Sequence, residues 1–283
     1  MTSELGPTVR RRQLGAALRR LREAAKISMD DAAAHLDRSR SGISQMETGR
    51  TAPRKPDLES LLRLYGADDQ TAAVLEELRR EGSKRGWWST YKLPDYLADL
   101  VGLEDDAISE RVVELELIPA LLQTPAYAKA VHVVGPQSPP AAEVDRRVEV
   151  RVQRQRRLLD SKPLTFSAVI SEAAVVRTAA EPDVGSEQLR RLVSDAAMPN
   201  VSLRVLPFQV GLHGSMSGSF ILLDFAPGVA VSAAYQEYAA GGHMVDDQDV
   251  VRLLSDLHDG LRGQALGDDE SLALIAELAQ QAE

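Results

Sequence analysis

The chain has 283 residues, 44% of them hydrophobic, so it can bury a sizeable core, and its length favours two domains. It contains no cysteine, which excludes disulfides and thiolate metal sites. Residues 1–9 lack the apolar core of a signal peptide, and no stretch approaches the roughly 20 apolar residues of a membrane span. We therefore expect a cytoplasmic protein.

The charge is distributed unevenly along the chain. Residues 1–55 hold 12 Lys/Arg against 6 Asp/Glu, whereas the remainder holds 21 against 36, which gives a net charge of -9. A basic end can attract phosphate even when the rest of the chain is acidic. A solvated basic helix face would have the same composition, so charge alone does not decide between the two.

The basic end begins with two predicted helices. The first has an apolar face formed by residues spaced three or four apart, namely Leu14, Leu18, Leu21 and Ala25. The second starts at Ser28, an N-cap with Asp31 three residues on, as in a capping box. It runs to about Leu36, and Asp37 follows where a sharp turn requires a residue that tolerates the left-handed conformation.

A third helix follows at once, so residues 28–49 predict a complete helix-turn-helix. Ser39 caps this helix, Ile43 and Met46 form its inward edge, and Gly49 ends it. In such a motif the first turn faces base edges in the major groove, which makes the candidate readers Arg40, Ser41, Ser44 and Gln45. The flanking cations are candidate phosphate contacts: Arg38, Arg50, Arg54 and Lys55.

Two motifs resemble the lambda-repressor-like, or XRE, family of helix-turn-helix regulators: Arg-x-x-Leu-Gly-x-x-Leu-Arg-x-Leu-Arg at 11–22 and Ser-x-Ser-Gly-Ile-Ser-Gln-Met-Glu-Thr-Gly-Arg at 39–50. The resemblance implies a structural pair between Arg22 and Glu47, and base contacts from Arg40, Ser41 and Gln45. It also implies binding to a double-stranded DNA operator, in the nucleoid. The sequence departs from the family pattern at three positions, Met29, Ala32 and Asp37. A generic helical bundle is the alternative for this segment.

Two more helices are predicted after the motif, from Asp57 to Gly66 and over 69–81. We therefore place an all-α DNA-binding domain at 1–82 and a glycine-containing, charged linker at 83–88. The linker ends in Trp87 and Trp88, which cannot both face one side of a helix or strand, so either one of them meets a partner or both are core at a bend.

The remaining residues, 89–283, predict a larger α+β domain. Helical patterns cover 103–117, 124–133, 141–160, 171–179, 186–197, 247–262 and 269–281, and strands are predicted at 164–170, 201–206, 219–225 and 229–234. The long helix has an apolar stripe of Val144, Val148, Val152 and Leu159. We interpret its many arginines as ion-paired and solvated, in preference to a second nucleic-acid surface. We interpret Glu172 as a cap or as a partner of Arg151 or Arg154.

Motifs in this region, among them Leu-Ile-Pro-Ala-Leu-Leu-Gln-Thr-Pro-x-Tyr-Ala at 117–128 and Gly-Ser-Phe at 218–220, resemble the large C-terminal domain of actinobacterial XRE regulators of the antitoxin-like type. Ala120 stands where that family usually has glycine. The resemblance implies a homodimeric regulator whose C-terminal domain holds a small partner protein encoded nearby. A domain that senses a small molecule is the alternative.

The sequence offers little chemistry for catalysis. Its five histidines lack metal-binding spacing, so we expect no metal, no cofactor and no enzyme, and an enzyme fused to a DNA-binding domain is the remote alternative. The glycine-rich loop 211–219 places His213 near Ser215 but lacks the pattern of a nucleophile elbow. We interpret it as a flexible loop and name His213, Ser215, Trp87 and Trp88 as weak candidates for partner binding.

Overall fold

The computed structural model describes residues 5–134, 139–238 and 241–282. The chain forms two compact units, the first comprising Met1–Asp106 with Ala226–Val231 and the second Ala107–Phe225 with Ser232–Glu283. Among the described residues, no helix combines the length and the apolar character needed to cross a membrane.

The first unit is helical. Its α-helices are α1 (Pro7–Ala24), α2 (Met29–Leu36), α3 (Arg40–Glu47), α4 (Lys55–Leu64), α5 (Asp69–Gly82) and α6 (Asp95–Glu104). A short 3-10 helix, Trp87–Tyr91, precedes α6. The predicted all-α helix-turn-helix region is therefore confirmed.

Local signals in the sequence define the ends of α2 and α3. Ser28 and Asp31 form a reciprocal capping box in which the Asp31 N–H donates to Ser28 Oγ over 3.0 Å. Asp37 adopts a left-handed conformation with φ of 51°, which allows α3 to begin three residues later. The Ser39 hydroxyl accepts from the Gly42 N–H, and Gly49 follows the helix with φ of 73°.

The core of the first unit is formed by side chains from five helices. Its buried members are Leu14, Leu18, Ala32, Ala33, Ile43, Met46, Leu58, Leu61, Leu62, Tyr65 and Leu75. Leu21 packs against this cluster from its edge. Ala25 lies outside it, because α1 ends at Ala24 and Ala25 is its exposed C-cap.

Two glycines allow α1 to approach the end of α3 closely. A Cβ on Gly15 would lie 2.5 Å from the Met46 carbonyl oxygen, and one on Gly49 would lie 2.6 Å from Arg12 Cα. Both contacts are with backbone, which cannot move aside as a flexible side chain can. The position of α3 against α1 therefore requires glycine, which has no side chain, at both 15 and 49.

The second unit contains six strands and six α-helices in its described residues. They are β1 (Ser109–Glu114), α7 (Pro125–Val133), α8 (Ala141–Gln155), β2 (Thr165–Ser171), α9 (Glu172–Ala179), α10 (Gly185–Asp195), β3 (Val201–Leu206), β4 (Phe220–Asp224), β5 (Ala233–Tyr238), β6 (Gly241–Val245), α11 (Gln248–Gln264) and α12 (Asp268–Gln281). The strands form one mixed sheet in the order β3-β2-β1-β4-β5-β6. β1, β2 and β3 are parallel and the other pairs antiparallel, so the predicted α+β class is confirmed.

Two predicted elements of this unit are wrong. Residues 103–117 do not form one helix, because α6 ends at Glu104 and 109–114 form the central strand β1. In that strand buried and half-buried positions alternate apart from the adjacent Val112 and Val113, a pattern that a helical reading overlooks. The strand predicted at 229–234 begins only at Ala233, and β6 was not predicted because its Gly241 and Gly242 resemble a turn.

The predicted stripe of the long helix is also partly wrong. Val144, Val150 and Leu158 are buried, whereas Val152 is 38% and Leu159 73% exposed. The helix changes to a 3-10 turn at 156–158, which has three residues per turn and shifts the inward face from Leu159 to Leu158.

Polar side chains of α8 and α9 connect these helices to other segments of the unit. The Gln155 side chain lies inward and donates to the Gln123 carbonyl oxygen over 2.6 Å. Glu172, for which the sequence predicts a role as a cap or as a partner of Arg151 or Arg154, is the first residue of α9. Its carboxylate accepts from the Phe208 N–H over 2.7 Å, which joins α9 to the segment after β3.

Candidate nucleic-acid interface

The two sides of α3 differ sharply in burial. Ile43, Met46 and Glu47 are buried against the rest of the first unit. The predicted readers Arg40, Ser41 and Gln45 are exposed, and Ser44 is half-buried. The structure thus brings all four predicted readers to one short helix, three of them with side chains free to reach a ligand.

A buried ion pair holds α3 to α1. Arg22 donates from Nε to Glu47 Oε1 over 2.6 Å and from Nη2 to Glu47 Oε2 over 2.9 Å, and its Nη1 donates to the Ile27 carbonyl oxygen. The hydrogen bond with Glu47 raises the pKa of Arg22. This geometry is the pair that the family resemblance implied, and it makes Glu47 structural.

The exposed readers make weak contacts with neighbouring side chains of the protein. Arg40 Nε lies 4.0 Å from Asp30 Oδ1 at the start of α2, and both side chains are mostly exposed. The Ser41 hydroxyl lies 2.8 Å from that of Ser39. The Thr51 hydroxyl donates to Gln45 Oε1 over 3.4 Å. Contacts of this kind at a solvated surface contribute little, so the groups can exchange them for contacts with DNA.

Met29 departs from the polar residue that the family has at the start of the second helix. In the structure it packs at the edge of the core of the first unit. The neighbouring Asp30 instead presents the polar group at this end of α2. The sequence does not indicate that Asp30 lies opposite Arg40, because the two residues belong to different helices.

The predicted phosphate contacts surround α3 and are all exposed. Arg38 is paired with Asp57 over 3.1 Å, and Lys55 lies 3.9 Å from Glu59. Arg54 immediately precedes α4. Exposed ion pairs of this kind are readily exchanged for phosphate.

Arg50 belongs to a second electrostatic group within the first unit. Burial raises the pKa of Asp99 in α6, and the positive charges of Arg12, Arg11 and Arg50 lower it in part. The charge of Arg50 is thus partly offset by a carboxylate. The sequence did not indicate this, because 49 residues separate the two positions.

The weak candidates for partner binding lie in two places. Trp88 is buried, and its ring packs where a Cβ on Gly102 would come within 2.7 Å. Trp87 is half-buried, meets the Trp88 ring edge-on at 5.8 Å and donates from Nε1 to Asp105 over 3.1 Å. The two indoles therefore sit in one aromatic cluster of the first unit.

His213 and Ser215 belong to the second unit. Ser215 is buried and its hydroxyl donates to the Gly218 carbonyl oxygen over 2.7 Å, which closes the loop on itself. His213 is half-buried. The structure therefore gives Ser215 a role in the shape of the loop, and it does not bring the tryptophans and this loop into one unit.

Comparison with protein families agrees with the geometry of the first unit. Residues 13–75 match a family model described as a helix-turn-helix domain. The chain is thus a helix-turn-helix DNA-binding regulator. Residues 97–277, more than half of the chain, match the family described as a domain of unknown function (DUF5753), and the chain belongs to that family. No curated protein and no solved structure matches it.

Proposed function

We propose that the protein is a sequence-specific transcriptional regulator of the XRE type that binds a palindromic operator as a homodimer. One observation carries the proposal: one side of α3 presents Arg40, Ser41 and Gln45 to solvent, while its opposite side is fixed by the core and by Glu47. A recognition helix needs this combination of free reading groups on a rigid support.

The chemistry of these side chains suits direct readout. An arginine can donate two hydrogen bonds to O6 and N7 of guanine, and a glutamine can pair with N6 and N7 of adenine. Arg38, Arg50, Arg54 and Lys55 carry charge beside the helix and supply affinity for phosphate that does not depend on base sequence. For a dimer, the half-sites should lie about one helical turn apart.

The test is selection of binding sites from random DNA by the full chain, followed by titration of variants on the selected and on a random duplex. Arg40→Ala and Gln45→Ala should lower affinity for the selected site about 10-fold or more and relax base preference. Arg50→Ala should weaken binding to both duplexes and reduce the salt dependence. Arg252→Ala, an exposed arginine of α11, is the control and should change neither. Equal losses on both duplexes for all three interface variants would refute the proposal.

For the second unit, we propose the antitoxin-like function in which it binds a small partner protein. Support comes from large apolar side chains exposed in and near the loop that follows β3: Phe208, Leu212, Met216 and Leu253. Gly214 of this loop lies against Leu257 of α11, one turn from Leu253. Large apolar side chains exposed on neighbouring segments are typical of a protein interface.

The partner can be tested by co-expressing the full chain with the products of neighbouring genes. A stable complex should form with a small protein, and Leu212→Asp or Met216→Asp should abolish it without unfolding the chain, since both side chains are already exposed. Val176→Asp, exposed on α9, is the control. No complex with any neighbouring product, or a complex indifferent to both loop substitutions, would refute this interface.

We also propose that the second unit is regulatory and not catalytic. The buried hydroxyl of Ser215 is directed to the Gly218 carbonyl oxygen and not to a histidine base, which supports that view. Screening the full chain against ester, phosphoester and peptide substrates should show no turnover above that of a Ser215→Ala variant. Turnover that is lost in this variant would contradict it.

A further inference from the structure

Three polar side chains form a row across the sheet of the second unit. Val113 pairs with Phe220, so Glu114 lies opposite Ser219, and Ile221 pairs with Tyr235, so Ser219 lies opposite Glu237. The Ser219 hydroxyl accepts from the Leu115 N–H over 3.2 Å and hydrogen-bonds to Glu114. The row stands at the carboxyl end of β1, the edge where mixed and parallel sheets commonly bind ligands.

Three polar side chains face this row from the connection between β1 and β2. Gln123 is buried, and its amide donates to the Ile118 carbonyl oxygen over 2.6 Å. Arg151 of α8 donates to Gln123 Oε1. Among the described residues this is its direct hydrogen-bond partner, and Glu114 and Glu237 act on it over longer distances.

The third group is His132 of α7. Its Nε2 is buried and makes no hydrogen bond within the described part of the chain. Burial and the charges of Arg151 and Arg147 lower its pKa to about 4, so the ring is neutral at neutral pH. It therefore offers either a donor or an acceptor to a neighbour.

Glu114 and Arg151 lie deep in the unit but keep access to solvent, and Glu237 at the end of the row is exposed. Protein surrounds Glu114 and Arg151 on nearly all sides, yet part of each residue is solvent-accessible. Burial raises the pKa of Glu114 to about 7 and lowers that of Arg151 to about 10. Burial thus penalises the charge of each group, and among the described residues Glu114 and Arg151 form no direct ion pair, a situation that a ligand of opposite charge would relieve.

We propose that this cluster binds a small zwitterion of the α-amino-acid class, with its carboxylate on Arg151 and its ammonium group between Glu114 and Glu237. The arginine can hold a carboxylate with two parallel hydrogen bonds, and Glu114 and Glu237 provide acceptors on the opposite side. A ligand with only one charged group would pair either with Arg151 or with the two glutamates, and would leave the other group desolvated and without a partner from the ligand. The second unit thus receives a small molecule as well as the protein partner proposed above.

The experiment is calorimetric titration of the full chain, without DNA, against the twenty common amino acids. One or a few related members should bind with Kd below about 1 mM. The matched acid without the amine and the matched amine without the carboxylate should each bind at least 10-fold more weakly. Since the readout is heat of ligand binding, its failure is distinct from failure of operator binding or of the protein partner.

Variants locate the site. Glu114→Gln and Arg151→Lys should each weaken the binding 10-fold or more, whereas Glu181→Gln, an exposed residue after α9, should leave it unchanged. Circular dichroism checks that each variant folds. If Arg151→Lys does not fold, Glu114→Gln alone decides, because it only removes a charge from a buried carboxyl group. No binding by any amino acid at 10 mM, or binding unaffected by Glu114→Gln, would overturn the proposal.

Discussion

Arg22 of α1 and Glu47 of α3 form a two-pronged ion pair in which both side chains are buried. Removing one partner leaves the other charge buried and unpaired, which costs about 3 kcal/mol or more. We expect Glu47→Ala to lower the opening free energy of the α1 and α3 amides by about that amount, measured by native-state hydrogen exchange on the full chain. The double substitution Arg22→Met with Glu47→Leu should recover most of the loss. A double variant as unstable as Glu47→Ala would show that the ion pair is not the cause.

Gly15 provides a second test of how α1 and α3 meet. Gly15→Ala should destabilise the first unit by about 2 kcal/mol, because the new methyl group would overlap the Met46 and Glu47 carbonyl oxygens. The matched control is Gly260→Ala in α11, where nothing lies within 4 Å and alanine should stabilise by up to about 1 kcal/mol. Thermal unfolding of both variants measures the difference. Equal effects at the two positions would mean that the close approach is relaxed in solution.

We expect Asp30 to compete with DNA for Arg40. Asp30→Asn removes a negative charge 4.0 Å from the arginine, at the helix end next to the proposed recognition surface. We expect affinity for DNA to rise about 2- to 5-fold, on selected and random duplexes alike, since exposed pairs of this kind are worth up to about 1 kcal/mol. Fluorescence anisotropy at several salt concentrations checks this. Glu77→Gln on α5 is the control, and a gain of the same size there would point to net charge alone.

The buried carboxyl group of Glu114 predicts a dependence of stability on pH. Its pKa is raised from 4.5 to about 7 by burial and by Glu237, against the opposing effects of Ser219 and Arg151. The folded state therefore holds the proton on Glu114 more tightly than the unfolded state does. The stabilisation that this protonated group gives is complete below about pH 4.5 and is lost as pH rises through 7. Glu114→Gln should match the parent at about pH 4.5 and be about 3 kcal/mol more stable at pH 8.5, by thermal unfolding of the second unit. A difference that is constant with pH would contradict the assignment.

The sequence predicted the helix-turn-helix in detail because its signals are local. Ser28, Asp31, Asp37 and Ser39 act within three or four residues, so their roles can be inferred from spacing alone. The Arg22–Glu47 pair is not local, and it was available only through the family resemblance.

The second unit was harder to predict because its elements depend on distant contacts. β1 is a strand because β2 and β4 flank it, and a stretch with the alternation of Ser109–Glu114 has little local preference of its own. The inward turn of Leu158 depends on the 3-10 turn after Gln155. The cluster around Glu114 and Arg151 combines residues from β1, α8 and the segment before α7. Local sequence patterns do not predict that residues so far apart in the chain come together.

The division of α3 into a buried and an exposed side has a consequence for how this protein can evolve. The side chains that we expect to touch bases make no contribution to the core, and those that hold the helix in place do not reach the solvent-facing side. Substitutions at Arg40, Ser41 and Gln45 can therefore change which DNA is bound without loss of the folded module. The preferred DNA sequence can thus vary while the fold is kept, provided that Gly15 is retained and that Arg22 and Glu47 change only together.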